Sequence, residues 1–253
     1  MTDEPAAAPP NLDDLWESHA DWWQAGFTEG ADAEYEEQIL PMAAQHLEGA
    51  RTVLDVGTGE GQIARLALHH DHATAETVVG IDPTWAQIQT AAQRAKGPAY
   101  ARAEAARLPF PSRTFDAVVA CLVFEHIDDV DHAIAEVARV LQPGGRFLFF
   151  LNHPLLQTPG SGWIDDRILD EQYWRIGLYL HEDKTVEEVE KDVFIPFIHR
   201  PLSRYVNALA DNGLLIVRMD EPAPPPGFLA RAAEYEQAAA IPRLLFVRAH
   251  KSA

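Results

Sequence analysis

The stretch Thr52-Val53-Leu54-Asp55-Val56-Gly57-Thr58-Gly59-Glu60-Gly61 decides how the chain folds. Thr52 to Val56 is apolar or β-branched except at Asp55, which predicts a short buried strand. Three glycines then alternate, and a helical pattern runs from Gln62 to about His70. Glycine has no Cβ, so such a turn can take left-handed backbone angles and let a ligand come close to the main chain. The helix that follows directs its free N–H groups at the same space. A strand, a tight turn and a helix start therefore surround a binding place.

The glycine spacing narrows the ligand. A dinucleotide fingerprint, G-x-G-x-x-G, needs its last glycine three residues after the second. Gly61 follows Gly59 by two, and Gln62 stands at the required position. An NAD-dependent oxidoreductase is accordingly disfavoured.

The chain beyond Gly61 alternates strands and helices. A strand over Thr77–Ile81 ends at Asp82, with Pro83 and Thr84 next. An acid there sits at the C-terminal edge of the sheet beside the glycine turn, where it can accept both hydroxyls of a ribose. Asp82-Pro83-Thr84 also suits a helix start, and the two roles are compatible. A helix is expected from Trp85 to Lys96, then a short strand over Ala99–Ala103 and the segment Ala103-Glu104-Ala105-Ala106-Arg107-Leu108-Pro109-Phe110-Pro111. Phe115-Asp116 opens a fourth strand, which leaves through Glu125-His126. A helix over Val130–Leu141 is followed by the reversal Leu141-Gln142-Pro143-Gly144-Gly145 and a strand over Arg146–Leu151.

Together these motifs resemble the class I S-adenosylmethionine-dependent methyltransferases of the small-molecule type. The resemblance is specific over about residues 50–152 and topological elsewhere. It implies an α/β, Rossmann-like sheet of seven mostly parallel strands, helices on both faces, and the last strand antiparallel beside the fifth and sixth. It implies S-adenosylmethionine as cofactor, held by Asp55, Gly57, Thr58, Gly59 and Gly61 in the loop and by Asp82 and Pro83 at the ribose. Glu104, where the family has Asp, would meet the adenine amino group, and the Ala105 N–H a ring nitrogen. Cys121, at the end of the fourth strand, would lie near the methionine part without acting as a nucleophile. His126 is expected to brace its loop through a backbone hydrogen bond, the alternative being a base near the methyl group.

The flanks carry less pattern. Residues 1–10 read as a tail, and helical spacing over Leu12–Trp23 and Ala31–Leu47 predicts helices that cover the mouth of the site, with Pro41 interrupting the second. Trp16 is expected to pack on the core; Trp22 and Trp23 are left open. The chain thus divides into residues 1–50, a tail and covering helices, and a methyltransferase domain over 51–253. Within it, residues 152–199 form a long connection rich in aromatic residues, expected to be a substrate cap. Later elements are a helix from Pro201 to Asp211, a strand over Leu214–Met219, a helix around Leu229–Ala239 and a strand over Leu244–Ala249.

Composition bounds the partners. The 253 residues carry a net charge of −19, which disfavours nucleic acid and anionic membrane surfaces. A single cysteine permits no intrachain disulfide, and no stretch has the make-up of a signal peptide or membrane span. A soluble, cytoplasmic protein without a metal is expected, its oligomeric state open. The expected reaction is methyl transfer to a small-molecule acceptor, with oxygen first among the atoms considered. A base is needed only if the acceptor's proton demands one. His153, where the fifth strand leaves the sheet, is the first candidate, His199 the second, and Tyr173 a group that could orient the acceptor. Transfer to nitrogen, carbon or a macromolecule, and cofactor binding without turnover, are the alternatives.

Overall fold

The computed structural model describes residues 12–94 and 97–253. The expected tail at residues 1–10 and helix end at Lys96 lie outside them. Two short helices lead in, α1 (Leu12–Ser18) and α2 (Ala20–Phe27), where one helix was expected. The break falls at His19, whose imidazole accepts the Phe194 N–H from a distant hairpin. A π-helical turn, Tyr35–Ile39, then runs into α3 (Leu40–Leu47). Pro41 lies in the first turn of α3, where its missing N–H costs least, and the wide turn before it absorbs the interruption.

The alternating part follows as β1 (Thr52–Val56), α4 (Gln62–His69), β2 (Thr77–Asp82), α5 (Trp85–Arg94), β3 (Ala99–Arg102), β4 (Phe115–Cys121), α6 (Val130–Val140) and β5 (Leu141–Asn152). The expected reversal at Leu141–Gly145 is a bulge inside β5: Leu141 pairs with Phe115, and the next pair is Arg146 with Ala117. Residues 152–199 form two separate hairpins, β6 (Gly162–Asp166) with β7 (Glu171–Arg175), and β8 (Asp183–Glu190) with β9 (Val193–His199). The chain ends with α7 (Leu202–Asp211), β10 (Leu214–Asp220), α8 (Pro226–Arg231) and β11 (Leu244–Lys251). The helix expected around Leu229–Ala239 is thus shorter; beyond it Tyr235 leaves the helix to stack on Trp163 at 5.0 Å.

The seven-stranded sheet has the order β10-β11-β5-β4-β1-β2-β3, with β11 antiparallel to both neighbours and the remaining neighbour pairs parallel. Strand residues alternate between two cores. Leu54, Val118, Phe147 and Phe149 pack with Ile134 and Val137 of α6 and Leu209 of α7. Val53, Val119, Leu148 and Phe150 pack on the other face with Ala43 of α3 and Ile63 and Ala67 of α4. Both faces are covered, so the strands read as continuous apolar runs. The chain winds outward in opposite directions from β1 and β4. The crevice at their carboxyl ends is where open α/β sheets bind ligands.

Candidate active site

At that crevice β1 delivers the glycine turn. Gly57, Gly59 and Gly61 all take positive φ, +69°, +53° and +90°. Their reasons differ. A Cβ on Gly57 would strike the methyl groups of Val123, and one on Gly61 would strike the Tyr100 ring. A Cβ on Gly59 would meet only the Trp23 indole nitrogen, at 3.8 Å. Gly59 is the glycine whose missing side chain leaves room for a ligand.

Two acids fix the turn. Asp55 accepts the Thr58 hydroxyl at 2.6 Å, and burial raises its carboxyl to about 7. Asp82 accepts the Gly59 N–H at 3.0 Å with one oxygen and the Thr84 N–H at 2.8 Å with the other. It joins the glycine turn to the start of α5, so the capping role is real. The Thr84 side chain also hydrogen-bonds the carboxylate, which still leaves it a further lone pair. Burial raises the Asp82 carboxyl above the usual carboxylate range.

These groups border a cavity of about 770 Å³. Asp55, Gly57, Thr58, Gly59, Asp82, Pro83, Glu104, Ala105 and Cys121 all line it. Gly61 is the one predicted cofactor residue outside that lining, because it faces Tyr100. Glu104 is exposed at the rim. Burial pushes the Cys121 thiol far up, which suits a packing role. Trp16, Trp23, Phe27 and Thr28 from the N-terminal helices, and Lys184 and Pro196 from the β8–β9 hairpin, complete the wall.

A second cavity of about 270 Å³ adjoins the first. The two share Trp16, Trp23, Phe27, Tyr35, Leu122 and His126. Trp16, expected to pack on the core, instead walls both cavities and stands edge-on to His126 at 4.8 Å. The His126 Nδ1 lies 2.7 Å from the Pro196 carbonyl. A carbonyl can only accept, so Nδ1 carries the proton and Nε2 keeps its lone pair. Burial lowers the ring to about 4, so it is neutral near pH 7.

The two predicted base candidates and Tyr173, expected to orient the acceptor, stand elsewhere. His153 is buried between Glu221, whose carboxylate lies 2.7 Å from Nε2, and the Leu155 N–H, which donates to Nδ1. His199 donates from Nε2 to the Tyr179 carbonyl at 2.8 Å. Tyr173 is exposed on β7. None of the three lines either cavity. Both ring nitrogens of His153 are thus engaged, and the Nδ1 of His199 is buried without a partner, away from both cavities. Sequence reasoning passed over Gln62 as a site residue; its buried, unpartnered amide nitrogen is in the wall of the large cavity. A polar side chain at the position of a missing fingerprint glycine was the available signal. Trp16, Trp23 and Phe27 were legible only as a seven- and four-residue spacing along a helix.

The donor set suits a nucleoside joined to an amino acid: an acid pair at the turn, a free rim carboxylate, an open glycine and an orphaned amide. That set fits S-adenosylmethionine, and the sheet that carries it is Rossmann-like.

Residues 54–149 match the family model described as a methyltransferase domain. A ubiquinone/menaquinone biosynthesis C-methyltransferase of Desulfotalea psychrophila is 36% identical over 121 residues, 47% of this chain and 48% of the relative. A 27-O-demethylrifamycin SV methyltransferase of Amycolatopsis mediterranei is 32% identical over 146 residues, 53% and 52% of the two chains. The chain spans about half the length of the curated relatives it matches. An S-adenosylmethionine-dependent methyltransferase of known structure from Mesorhizobium loti superposes with a TM-score of 0.71 at 27% identity, over 83% of this chain and 96% of that one. Residues 54–149 thus match a methyltransferase domain, within a chain that is similar in fold to solved S-adenosylmethionine-dependent methyltransferases.

Among the described residues no helix is long and apolar enough to cross a membrane.

Proposed function

We propose that the chain is a methyltransferase that binds S-adenosylmethionine in the large cavity and a small-molecule acceptor in the adjoining one, with oxygen as the atom methylated. The observation that carries this is the pair of cavities meeting at Leu122 and His126, at the end of β4. When bound, S-adenosylmethionine supplies a methyl group on a sulfonium. Asp82 holds the ribose hydroxyls, Glu104 and the Ala105 N–H the adenine, and the Gly57–Gly59 turn the chain between them. Trp16, Trp23 and Phe27 exclude water from the junction, and the aromatic walls orient the acceptor, which alone can supply several kcal/mol of the barrier. His126 is the base: its unprotonated Nε2 takes the acceptor hydroxyl's proton as the oxygen is methylated. It replaces His153 and His199 in that role, and the aromatic walls replace Tyr173 in orienting the acceptor. Residues 12–50 and the β8–β9 part of 152–199 act as covers.

The carbon-methylating relative does not decide the acceptor. The family match ends at residue 149 and begins at 54, whereas the small cavity is lined, apart from Leu122 and His126, by residues outside that range. The acidic surface supports a small acceptor over nucleic acid, and the cysteine count supports a reducing, cytoplasmic setting.

Titration calorimetry with S-adenosylmethionine, S-adenosylhomocysteine and NAD tests the cofactor. Methyl-labelled S-adenosylmethionine with a metabolite extract tests turnover and separates an enzyme from a cofactor-binding protein. His126→Asn should lower the transfer rate at least tenfold while cofactor affinity stays within about threefold. NAD binding without sulfonium binding would sink the reading.

A further inference from the structure

Aromatic rings form a large part of the small cavity's wall, with Trp16, Trp22, Trp23, Phe27, Tyr35 and Phe197 among them, and its charges are spent. The Arg243 guanidinium lies 2.8 Å from Glu34 and stacks over the Phe228 ring at 4.1 Å. Asp32 accepts the Tyr35 N–H with one oxygen and faces Arg231 at 3.6 Å with the other. His126 is neutral. A charged ligand would find no unpaired counter-charge among these lining groups and would lose its hydration. A neutral, apolar body fits them.

One polar atom breaks this pattern. Gln38, on the π-helical turn, is 9% exposed and stands in the cavity wall. Its Nε2 donates to the Ala223 carbonyl at 2.8 Å. That carbonyl can only accept, which fixes the amide orientation and makes the remaining atom an oxygen. Oε1 is buried and has no partner. Buried polar atoms in folded proteins are nearly always satisfied, so an orphaned acceptor in a cavity wall asks for a donor from the cavity's occupant. Gln157, also in the wall, has both a donor and an acceptor and imposes no such demand.

We infer that the small cavity takes a neutral, largely apolar acceptor of about two fused rings that carries a hydroxyl besides the one methylated, and that Gln38 Oε1 accepts the hydrogen bond from this second hydroxyl. The inference rests on the methyl-transfer reading for what occupies the large cavity. Gln38 is a specificity residue here. A site with a fixed hydrogen-bonding group discriminates strongly against an analogue that lacks the matching group, because its own polar atom is then left unpaired.

The test is equilibrium dialysis with 1-naphthol and naphthalene, on protein saturated with S-adenosylhomocysteine. The wild type should bind 1-naphthol ten- to a hundredfold more tightly than naphthalene. Gln38→Leu should bring 1-naphthol down to the naphthalene level and leave naphthalene and S-adenosylhomocysteine affinities within about threefold. Gln38→Met, closer in shape, serves where the leucine variant misfolds. If S-adenosylhomocysteine binds but neither probe does, the inference is overturned and the cofactor reading stands. The same holds if both probes bind alike, or if the preference survives both substitutions. If S-adenosylhomocysteine itself does not bind, the cofactor reading fails first and this inference with it.

Discussion

Asp82 shapes the glycine turn and caps α5, and the proposed ribose contact asks a second function of the same side chain. Its oxygens hold the Gly59 and Thr84 N–H groups, so they shape the glycine turn and cap the approach to α5 before any ligand arrives. Asp82→Asn keeps one acceptor oxygen but sets an amide against the second N–H. Losing a hydrogen bond to a charged group costs about 1.5–3 kcal/mol. The unliganded variant should melt lower by roughly 3–10 °C, at about 2–4 °C per kcal/mol for a domain of this size. Cofactor affinity should fall ten- to a hundredfold as well, about 1.4–2.8 kcal/mol. A destabilised protein with unchanged affinity in calorimetry would retire the ribose assignment. Glu125 makes a different case. One of its oxygens accepts from the backbone and side-chain nitrogens of Asn152, while the other is buried without a partner. Burial raises its carboxyl to about 7, against an ordinary value near 4.5. The folded state therefore binds a proton that the unfolded state has already released between those values. In that window stability falls as pH rises. Glu125→Gln is fixed in the neutral form. It should melt like the wild type near pH 4.5 and be more stable at pH 8, by on the order of 1–3 kcal/mol. Thermal melts of both proteins from pH 4.5 to 8 measure this, and parallel curves would refute it.

At the scale of elements, what was legible follows where backbone geometry leaves a pattern. β1 was placed to the residue, and β2, β4, α4, α6 and α7 to within one or two, because apolar runs, glycine turns and helix ends are local signals. Nine of the ten predicted cofactor residues line the large cavity, since their spacing is fixed by the strand ends that carry them. The small cavity was not legible. It is assembled from the N-terminal helices, the π-helical turn, the β8–β9 hairpin and the start of β11, and no spacing rule links segments so far apart. His153 and His199 misled because a histidine at a strand exit looks alike whether it faces a cavity or ties down a turn. Gln38 gave no signal, being one polar residue in a helical stretch. The same distance in sequence hides the clasp that holds α1. The Glu17 carboxylate accepts the Trp85 and Ala86 N–H groups at 2.7 and 2.9 Å, capping α5 from another helix. An acid at a helix N-terminus is favourable through both hydrogen bonds and the helix dipole. Glu17 is exposed, so the effect is modest. Glu17→Ala should speed release of S-adenosylhomocysteine about three- to tenfold in stopped-flow fluorescence, with little change in the association rate. An unchanged release rate would mean that α1 does not gate the cavity.

For the molecule as a whole, the division of labour runs across the sheet. The family-matched residues 54–149 build the floor of the large cavity, and the segments before and after them build its roof and most of the small cavity's wall. The roof is tied at two sides. Gln24 of α2 donates to Gln87 and Thr90 of α5, and Trp22 donates to Glu190 of β8 at 2.7 Å. Lys184 of β8 meets Asp128 at 2.6 Å, beside the same cavity. A ligand in the large cavity touches floor and roof together, so its binding energy adds to the free energy of lifting the roof. At a hundred times the dissociation constant this is about 2.7 kcal/mol, which slows amide exchange about a hundredfold for groups that exchange through that opening. The β6–β7 hairpin offers the control, because it lines neither cavity. Saturating S-adenosylhomocysteine should therefore slow exchange in residues 15–28 and in β8–β9, leaving residues 162–175 within about twofold of the unliganded protein. Hydrogen exchange read by mass spectrometry resolves these segments. Equal protection of both hairpins would point to global stabilisation alone. Protection confined to the glycine turn and β2 would mean that the N-terminal helices and the β8–β9 hairpin are bystanders, and the covering role proposed for them would be lost.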